Sequence, residues 1–284
     1  MPSKLRTFFR LLRGALVKAY QDGCLGTAKG AAYSALLAFF PLLATIATVL
    51  VHVRADFVSR QISGFLDEIL PPGTHRLVFQ YFAVRGTQPF FIPLTGMLVS
   101  IWAASGVMVS LMEGFQAAYR IPAGRSFLRQ RVVALLLVLS AAIPTLAASI
   151  LILFGERGQH WLLQALGLLP AGAELRGGVL VLGAMLRYAI ALGAIVLGAA
   201  ILYRYGPNRP QRWKCVWPGA VLATVLWLGA TSLFAWYARH IANYNVVYGS
   251  AARVILLLVW MYVLAVVALT GCEFNAECEM AAER

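Results

Sequence analysis

Six long apolar stretches, separated by more polar segments, dominate the pattern of this chain. They cover approximately residues 31–53, 90–112, 132–154, 179–203, 216–238 and 251–271. A helix of about 20 residues crosses a hydrocarbon core roughly 30 Å thick, because each residue adds about 1.5 Å along the axis. The pattern therefore predicts an all-α membrane protein in which residues 31–272 form one bundle of six transmembrane helices.

The segments outside these spans carry amphipathic patterns. Residues 1–30 mix apolar and basic positions at helical spacing, which is typical of a helix that lies on a membrane surface. Two connections between spans contain apolar stripes, one at residues 57–70 and one at residues 161–168. We expect a basic interfacial helix at the N-terminus, short amphipathic helices in these two outward loops, and a cytoplasmic tail at residues 273–284.

Basic residues concentrate on alternate connections. Hydrophobic residues make up 61% of the chain and charged residues 12%, yet the formal net charge is +13. Such a charge raises the question of nucleic acid, but Lys and Arg cluster before the first span, between the second and third, and between the fourth and fifth. This is the positive-inside pattern, so we expect both termini in the cytoplasm and no nucleic-acid partner.

Prolines interrupt two of the predicted spans. Pro41 and Pro144 each remove a backbone hydrogen bond, so we expect them to kink or loosen their helices and to have a structural or gating role. Each begins a similar string, Pro-Leu-Leu-Ala and Pro-Thr-Leu-Ala. An internal duplication would explain this similarity, and shared hydrophobic composition explains it as well.

Ionisable residues in or beside the spans are the first candidates for function, because charge in hydrocarbon is costly. Arg187 lies about eight residues into the fourth predicted span, roughly 12 Å along the axis. One interpretation is an inward-facing cation that binds an anionic substrate or a carboxylate. The alternative is a side chain that snorkels to the outer interface or bonds a loosened carbonyl group.

Two carboxylates mark the inner ends of spans. Glu113 ends the second span and Glu273 ends the sixth. Either can pair with the basic cluster at Arg125, Arg129 and Arg131 and so fix the ends of helices. Proton coupling is the alternative role.

The turn before the last span is rich in hydrogen-bonding groups. Asn243, Tyr244, Asn245 and Tyr248 are candidates for substrate binding, and Gly249 is a candidate for a structural or gating role at the turn. Helix capping and anchoring at the membrane interface are the alternative roles of these residues.

Residues for soluble-type catalysis are sparse. The four histidines are distant from one another in sequence, and no glycine-rich phosphate loop is present. We therefore expect no metal site, no cofactor and no enzymatic activity. In particular, the sequence offers no plausible metal cluster for RNA hydrolysis.

Several segments together resemble the YihY/BrkB family of bacterial inner-membrane proteins, once labelled ribonuclease BN. The segments that carry the resemblance are Ala32 to Pro41, Tyr119 to Arg131, Tyr203-Arg204-Tyr205-Gly206-Pro207, Trp217-Pro218-Gly219-Ala220, Phe234-Ala235-Trp236-Tyr237, Tyr244 to Ser250, and Trp260 to Glu277 with its Gly271-x-Glu273-x-Asn275-Ala276 string. Cys272 stands where the family usually has a small residue, and Arg187 belongs to none of these motifs.

The resemblance implies six helices, cytoplasmic termini and a role in the bacterial envelope. Some family members are linked to serum resistance and others to lipid or lipopolysaccharide export, whereas the ribonuclease label looks like a misassignment. We therefore expect an inner-membrane protein that transports or flips an amphipathic anionic substrate, such as a lipid or an envelope precursor. The alternative is a non-transporting scaffold for envelope biogenesis. Membrane lipids, and proteins of envelope biogenesis, are the partners that these hypotheses imply.

Overall fold

The computed structural model describes residues 2–52, 91–122, 124–165, 177–209, 211–240 and 251–282. These residues form seven α-helices: α1 Pro2–Gln21, α2 Cys24–His52, α3 Phe91–Ala118, α4 Phe127–Ala165, α5 Gly177–Tyr205, α6 Trp213–His240 and α7 Ala251–Ala282. The last six, α2 to α7, are long and apolar enough to cross a membrane. The prediction of an all-α protein with six membrane-spanning helices is confirmed.

Helices that follow one another in sequence form the closest pairs. The most extensive contacts are those of α2 with α3, α4 with α5, and α6 with α7. In addition, α7 contacts α1, α2 and α3, whereas α4 and α5 contact only their sequence neighbours extensively in the described part of the chain. As a result, α7 is the most buried spanning helix, and α4 and α5 are the least buried.

The core lies toward the end of the bundle at which α1 and the C-terminus of α7 meet, called here the terminal end. Small residues such as Ala28, Ala31, Ala200 and Ala220 are completely buried there. Small side chains let helix backbones approach closely, which is the usual way in which helices associate in membranes. The terminal end is therefore tightly assembled, and the apolar side chains exposed along α4 and α5 are suited to contact lipid.

Two helix ends differ from the boundaries predicted from hydropathy. Gly23 has a positive φ of 74° and ends α1, so residues 24–30 belong to the first spanning helix. At the other terminus α7 continues through Glu273 to Ala282, where the sequence suggested a tail from residue 273. The physical reason is that polar residues of this segment are buried against neighbouring helices rather than solvated.

Both predicted proline sites lie inside continuous helices and face glycines. α2 continues through Pro41, and a Cβ added at Gly96 of α3 would lie 3.6 Å from the Pro41 carbonyl oxygen. α4 continues through Pro144, whose ring would lie 3.7 Å from a Cβ at Gly198 of α5. Each proline thus packs beside a glycine of the next helix. A gating role for the prolines, and an internal duplication, stay predictions.

The expected loop helices fall largely outside the described residues. The stripe at residues 57–70 is not described, and neither are residues 166–168 of the second stripe. Residues 161–165 belong to α4, which ends at Ala165.

Candidate functional site

Polar residues lie inside the core at the C-terminal part of α7. Glu273 and Asn275 are both 0% exposed, although they belong to a helix long and apolar enough to cross a membrane. Their neighbours come from four other helices: α1, α2, α5 and α6. We call this group the α7 polar cluster, and its members are Lys18, Cys24, Tyr203, Gly219, Gly271, Glu273, Asn275 and Glu277.

Asn275 joins α7 to the first turns of α6. Its Oδ1 accepts a hydrogen bond of 2.6 Å from the backbone N–H of Gly219, and its Nδ2 donates one of 3.1 Å to the carbonyl oxygen of Val216. Pro218 lies between these two residues and contributes no N–H to the helix. The side-chain amide therefore satisfies both a donor and an acceptor of α6 in a buried place where water is excluded.

Two glycines allow this contact. A Cβ added at Gly219 would lie 2.5 Å from Cγ of Asn275 and would also collide with the carbonyl oxygen of Gly271. A Cβ added at Gly271 would lie 2.8 Å from Cβ of Ala223 and 3.0 Å from the carbonyl oxygen of Gly219. Because backbone atoms are in the way, the close approach of α6 and α7 requires glycine at both positions.

Tyr203 connects α5 to the same part of α7. Its hydroxyl group donates a hydrogen bond of 2.8 Å to the carbonyl oxygen of Ala268, and its ring meets Phe115 of α3 edge to face with centroids 5.5 Å apart. The tyrosine is 1% exposed. It therefore satisfies its one polar atom while filling space among α3, α5 and α7.

Glu273 is the least satisfied member of the cluster. The thiol of Cys24 lies 3.5 Å from its Oε1, whereas Oε2 is buried and has no hydrogen-bond partner in the part of the chain that the structure describes. Its charged neighbours are Asp22, Lys18 and Glu277. One cation thus faces three carboxylates, and a proton bound by one of them would reduce the repulsion in this region.

Lys18 of α1 provides the cation. Its ammonium group forms an ion pair with Glu277 and lies 3.5 Å from the sulfur of Met280. The Glu277 side chain passes over Gly14, where a Cβ would lie 3.4 Å from it. Through these contacts α1 is held against α7.

Arginine side chains bind the connections between helices beside the α7 polar cluster. Arg125, between α3 and α4, donates to the carbonyl oxygens of Tyr205, Gly206 and Pro207 at 2.9, 2.7 and 3.1 Å, and so caps the C-terminus of α5. Burial, and then the charge of nearby Arg129, lower the pKa of Arg125.

A second arginine joins the α5–α6 connection to α7. Arg209 bonds Glu279 at 2.6 Å and lies over the ring of Tyr119 with 5.5 Å between the guanidinium carbon and the ring centroid. Burial raises the pKa of the Tyr119 phenol above its usual range. The three side chains therefore hold the end of α3 against the end of α7.

The predicted site residues that the structure describes have separate partners. Arg187 is half-buried on α5 and donates a hydrogen bond of 2.7 Å to Oε1 of Gln159 on α4, so its identified partner is a neutral amide. Glu113 is exposed on α3. Arg125 bonds backbone carbonyls, and Arg131 lies 4.1 Å above the Trp102 ring. The five candidates of the predicted turn, Asn243, Tyr244, Asn245, Tyr248 and Gly249, lie outside the described residues.

Only Glu273 of the α7 polar cluster was named as a site candidate from sequence. Asn275 and Tyr203 were recognised only as parts of motifs, although a polar residue in an apolar helix signals a bonded role. Cys24 carried no signal, because it is 249 positions from Glu273. Among the described residues no group of three or more His, Cys, Asp and Glu is placed to hold a metal ion.

Comparison with known proteins places the chain in a family. The family described as Virulence factor BrkB matches residues 15–284. A ribonuclease-like protein of Bacillus subtilis, YfkH, is 26% identical over 86% of this chain and 86% of its own length. A UPF0761 membrane protein of Tolumonas auensis is 30% identical over 86% of this chain and 77% of its own length. No solved structure matches. The chain belongs to the BrkB family of membrane proteins.

Proposed function

We propose that the protein transports or flips an amphipathic anionic substrate, such as a lipid or an envelope precursor, across a bacterial inner membrane, with Glu273 as the group that takes up and releases a proton. The observation that carries this proposal is the complete burial of Glu273, one oxygen of which has no hydrogen-bond partner among the described residues. An ionisable group of this kind inside a spanning helix is costly to keep, which favours a functional role.

The protonation state of Glu273 is suited to determine which of two conformations of the bundle is favoured. When it is ionised, its unpartnered oxygen and its carboxylate neighbours destabilise the arrangement described here. When it is protonated, that arrangement becomes favourable. A change of protonation therefore shifts the balance between this conformation and one in which the carboxylate reaches water, which is how a proton gradient drives a transporter.

The substrate class is supported by the cation on α5 and by the exposed faces of α4 and α5. Among the described side chains, the identified partner of Arg187 is a neutral amide, and this bond does not neutralise the guanidinium. Large apolar side chains such as Leu186 and Leu182 are exposed on the same helix. A cation beside a lipid-facing surface fits a molecule with an anionic headgroup and apolar chains.

We propose that the terminal end faces the cytoplasm. Lys18, Arg125, Arg204 and Arg209 all lie at this end, and basic residues favour the cytoplasmic side. A green fluorescent protein fused to the C-terminus should fluoresce, and alkaline phosphatase at the same point should be inactive. The reverse pair of results would invert the proposed topology.

The transport proposal is tested with the full chain reconstituted in liposomes that contain fluorescent phosphatidylglycerol. Wild-type protein should speed movement of the labelled lipid between leaflets, and an imposed pH gradient should change the rate. Glu273→Gln keeps the shape of the side chain but cannot bind the proton, so the rate should fall at least about tenfold and lose its dependence on the gradient. Thermal unfolding in detergent should show that this variant is no less stable than wild type.

Glu113→Gln is the matched control, because Glu113 is an exposed glutamate on α3 and the substitution makes the same change of charge. Its rate should equal that of wild type. If neither phosphatidylglycerol nor a lipopolysaccharide precursor moves faster than in protein-free liposomes, the transport proposal is wrong. If the lipid moves and Glu273→Gln has the wild-type rate and pH dependence, the assignment of the proton site is wrong.

A scaffold for envelope biogenesis is the second candidate. The observation that favours it is the full engagement of Asn275, which ties α7 to α6 by two hydrogen bonds and suits a static bundle. In that case wild-type protein should move no lipid, and crosslinking in cells should recover a stable protein partner.

A further inference from the structure

A groove separate from the α7 polar cluster opens between the α3–α4 and α5–α6 connections. Its volume is about 340 Å³, and its lining includes Arg125, Arg204, Arg209 and Gln211. We call it the arginine groove. None of the described residues that line it is acidic.

Three polar atoms at the arginine groove are buried and unpartnered. Gln211 is 5% exposed, yet neither its Nε2 nor its Oε1 has a hydrogen-bond partner within the described ranges. The same is true of Nε of Arg204. A buried polar group without a partner costs about 1–3 kcal/mol, so proteins seldom keep one without a use. Two donors and one acceptor at one groove are therefore more informative than the arginine charges alone.

Arg204 is held rigidly at this place. Its guanidinium carbon lies 4.7 Å from the centre of the Trp213 ring and 5.5 Å from that of Tyr205, and its Nη1 donates to the carbonyl oxygen of Gln211. A side chain fixed in this way loses little further freedom when it binds a ligand. Among its donors, Nε–H is the one that is buried without a hydrogen-bond partner in the described part of the chain.

The surrounding charges favour an anion. Arg125 offsets the partial negative charge of the α5 C-terminus, because it bonds three carbonyl oxygens there. The carboxylate of Glu279 forms an ion pair with Arg209 and offsets the charge of that arginine. In addition, α6 begins at Trp213, two positions after Gln211, with no acidic residue in its first turn. The positive end of that helix therefore adds to the charge of Arg204.

We propose that the arginine groove binds a phosphate-bearing ligand that also presents a hydroxyl donor. Nε of Arg204 and Nε2 of Gln211 would donate to phosphate oxygens, and Oε1 of Gln211 would accept from a P–OH group or a neighbouring hydroxyl. The volume exceeds that of a phosphate group and leaves room for a glycerol or sugar unit. The headgroup of a phospholipid and a soluble phosphate ester share this chemistry.

Binding of a ligand in the arginine groove does not depend on transport, so it is measured directly. Calorimetric titration of the purified full chain in uncharged detergent uses inorganic phosphate and glycerol phosphate as probes. Gln211→Leu removes both unpartnered amide atoms without changing charge, and should weaken binding of glycerol phosphate at least about tenfold. Arg212→Gln is the matched control, because Arg212 is an exposed cation of the same connection that does not line the groove. Its affinity should change less than about threefold.

The source of the phosphate is decided in nanodiscs. If a phospholipid headgroup is the ligand, nanodiscs of phosphatidylglycerol should compete with glycerol phosphate, and nanodiscs of phosphatidylcholine should not. Equal affinity in both would identify a soluble ester as the ligand. Arg204→Gln provides a second variant, so the test does not depend on the folding of Gln211→Leu. Absence of binding by both probes, or wild-type affinity in both groove variants, would overturn the proposal.

Discussion

Glycines lie at the contacts of both helix pairs, α6–α7 and α4–α5, but the two contacts are packed differently. In α6–α7, Gly219 and Gly271 bring the backbones together, and Asn275 bonds across the contact with both the oxygen and the nitrogen of its side-chain amide. In α4–α5, the glycine at 155 accommodates the long side chain of Arg187, whose identified partner is Gln159. At the first contact backbone atoms pack against each other, whereas at the second a flexible side chain packs against the glycine.

This difference follows from position in the bundle. α7 is surrounded by α1, α2, α3 and α6, so Asn275 finds its partners within the protein. α4 and α5 contact fewer helices and expose apolar residues along their length. A polar group there can reach the membrane interface, and its contact tolerates adjustment. We therefore expect the same kind of substitution to be more damaging in α6–α7 than in α4–α5.

The largest expected effect is that of one methyl group at Gly219. Gly219→Ala places a Cβ 2.5 Å from Cγ of Asn275 and against the backbone of Gly271, which cannot move aside without separating the helices. We expect a loss of about 3 kcal/mol in the free energy of unfolding, since overpacking of this kind typically costs 1–3 kcal/mol or more. Thermal unfolding of the purified protein in detergent measures the effect.

Gly198→Ala is the corresponding substitution in α5, because Gly198 faces Pro144 of α4. A Cβ there would lie 3.7 Å from the Pro144 ring, which is an ordinary contact distance, so the variant should unfold at the wild-type temperature or slightly above it. Equal destabilisation by both substitutions would show that the two helix pairs do not differ in the way described.

The six spans could be predicted because a helix that crosses the hydrocarbon core needs a certain length and an apolar composition, and both can be read from the sequence. The ends of α2 and α7 could not, because they depend on partners. Hydropathy ends the last span near Gly271, whereas Asn275 and Glu273 are buried by helices that precede them by more than fifty residues. Only tertiary contacts explain why polar residues continue a buried helix.

The site was less predictable than the fold. Glu273 was identified as a candidate because a carboxylate beside an apolar stretch is unusual, but its neighbour Cys24 is brought to it by the fold alone. Arg187 was identified in the same way, and its partner Gln159 lies in a segment that the sequence assigned to an outward loop. Gln211 carried no signal, since its importance rests on burial without a partner.

A smaller difference in the free energy of unfolding is expected when the hydrogen bonds of Asn275 and of Gln159 are removed. Asn275→Ala leaves the N–H of Gly219 without its side-chain acceptor and opens a small cavity in the core. Hydrogen bonds between membrane helices contribute about 0.6 kcal/mol on average and up to about 1.7 kcal/mol, so loss of two bonds at a completely buried site should cost about 2 kcal/mol. Gln159→Ala removes the acceptor of Arg187 at a half-buried site and should cost about 0.6 kcal/mol or less.

The two substitutions are best compared by reversible unfolding of the protein in mixed micelles, with the double variant included. Residues 159 and 275 belong to contacts that share no residue, so the two losses of free energy should add within about 0.5 kcal/mol. A loss for Gln159→Ala as large as that for Asn275→Ala would contradict the expected difference in rigidity. Strong non-additivity would instead mean that α4–α5 and α6–α7 respond as one unit, which would make the cation at 187 and the α7 polar cluster parts of a single coupled device.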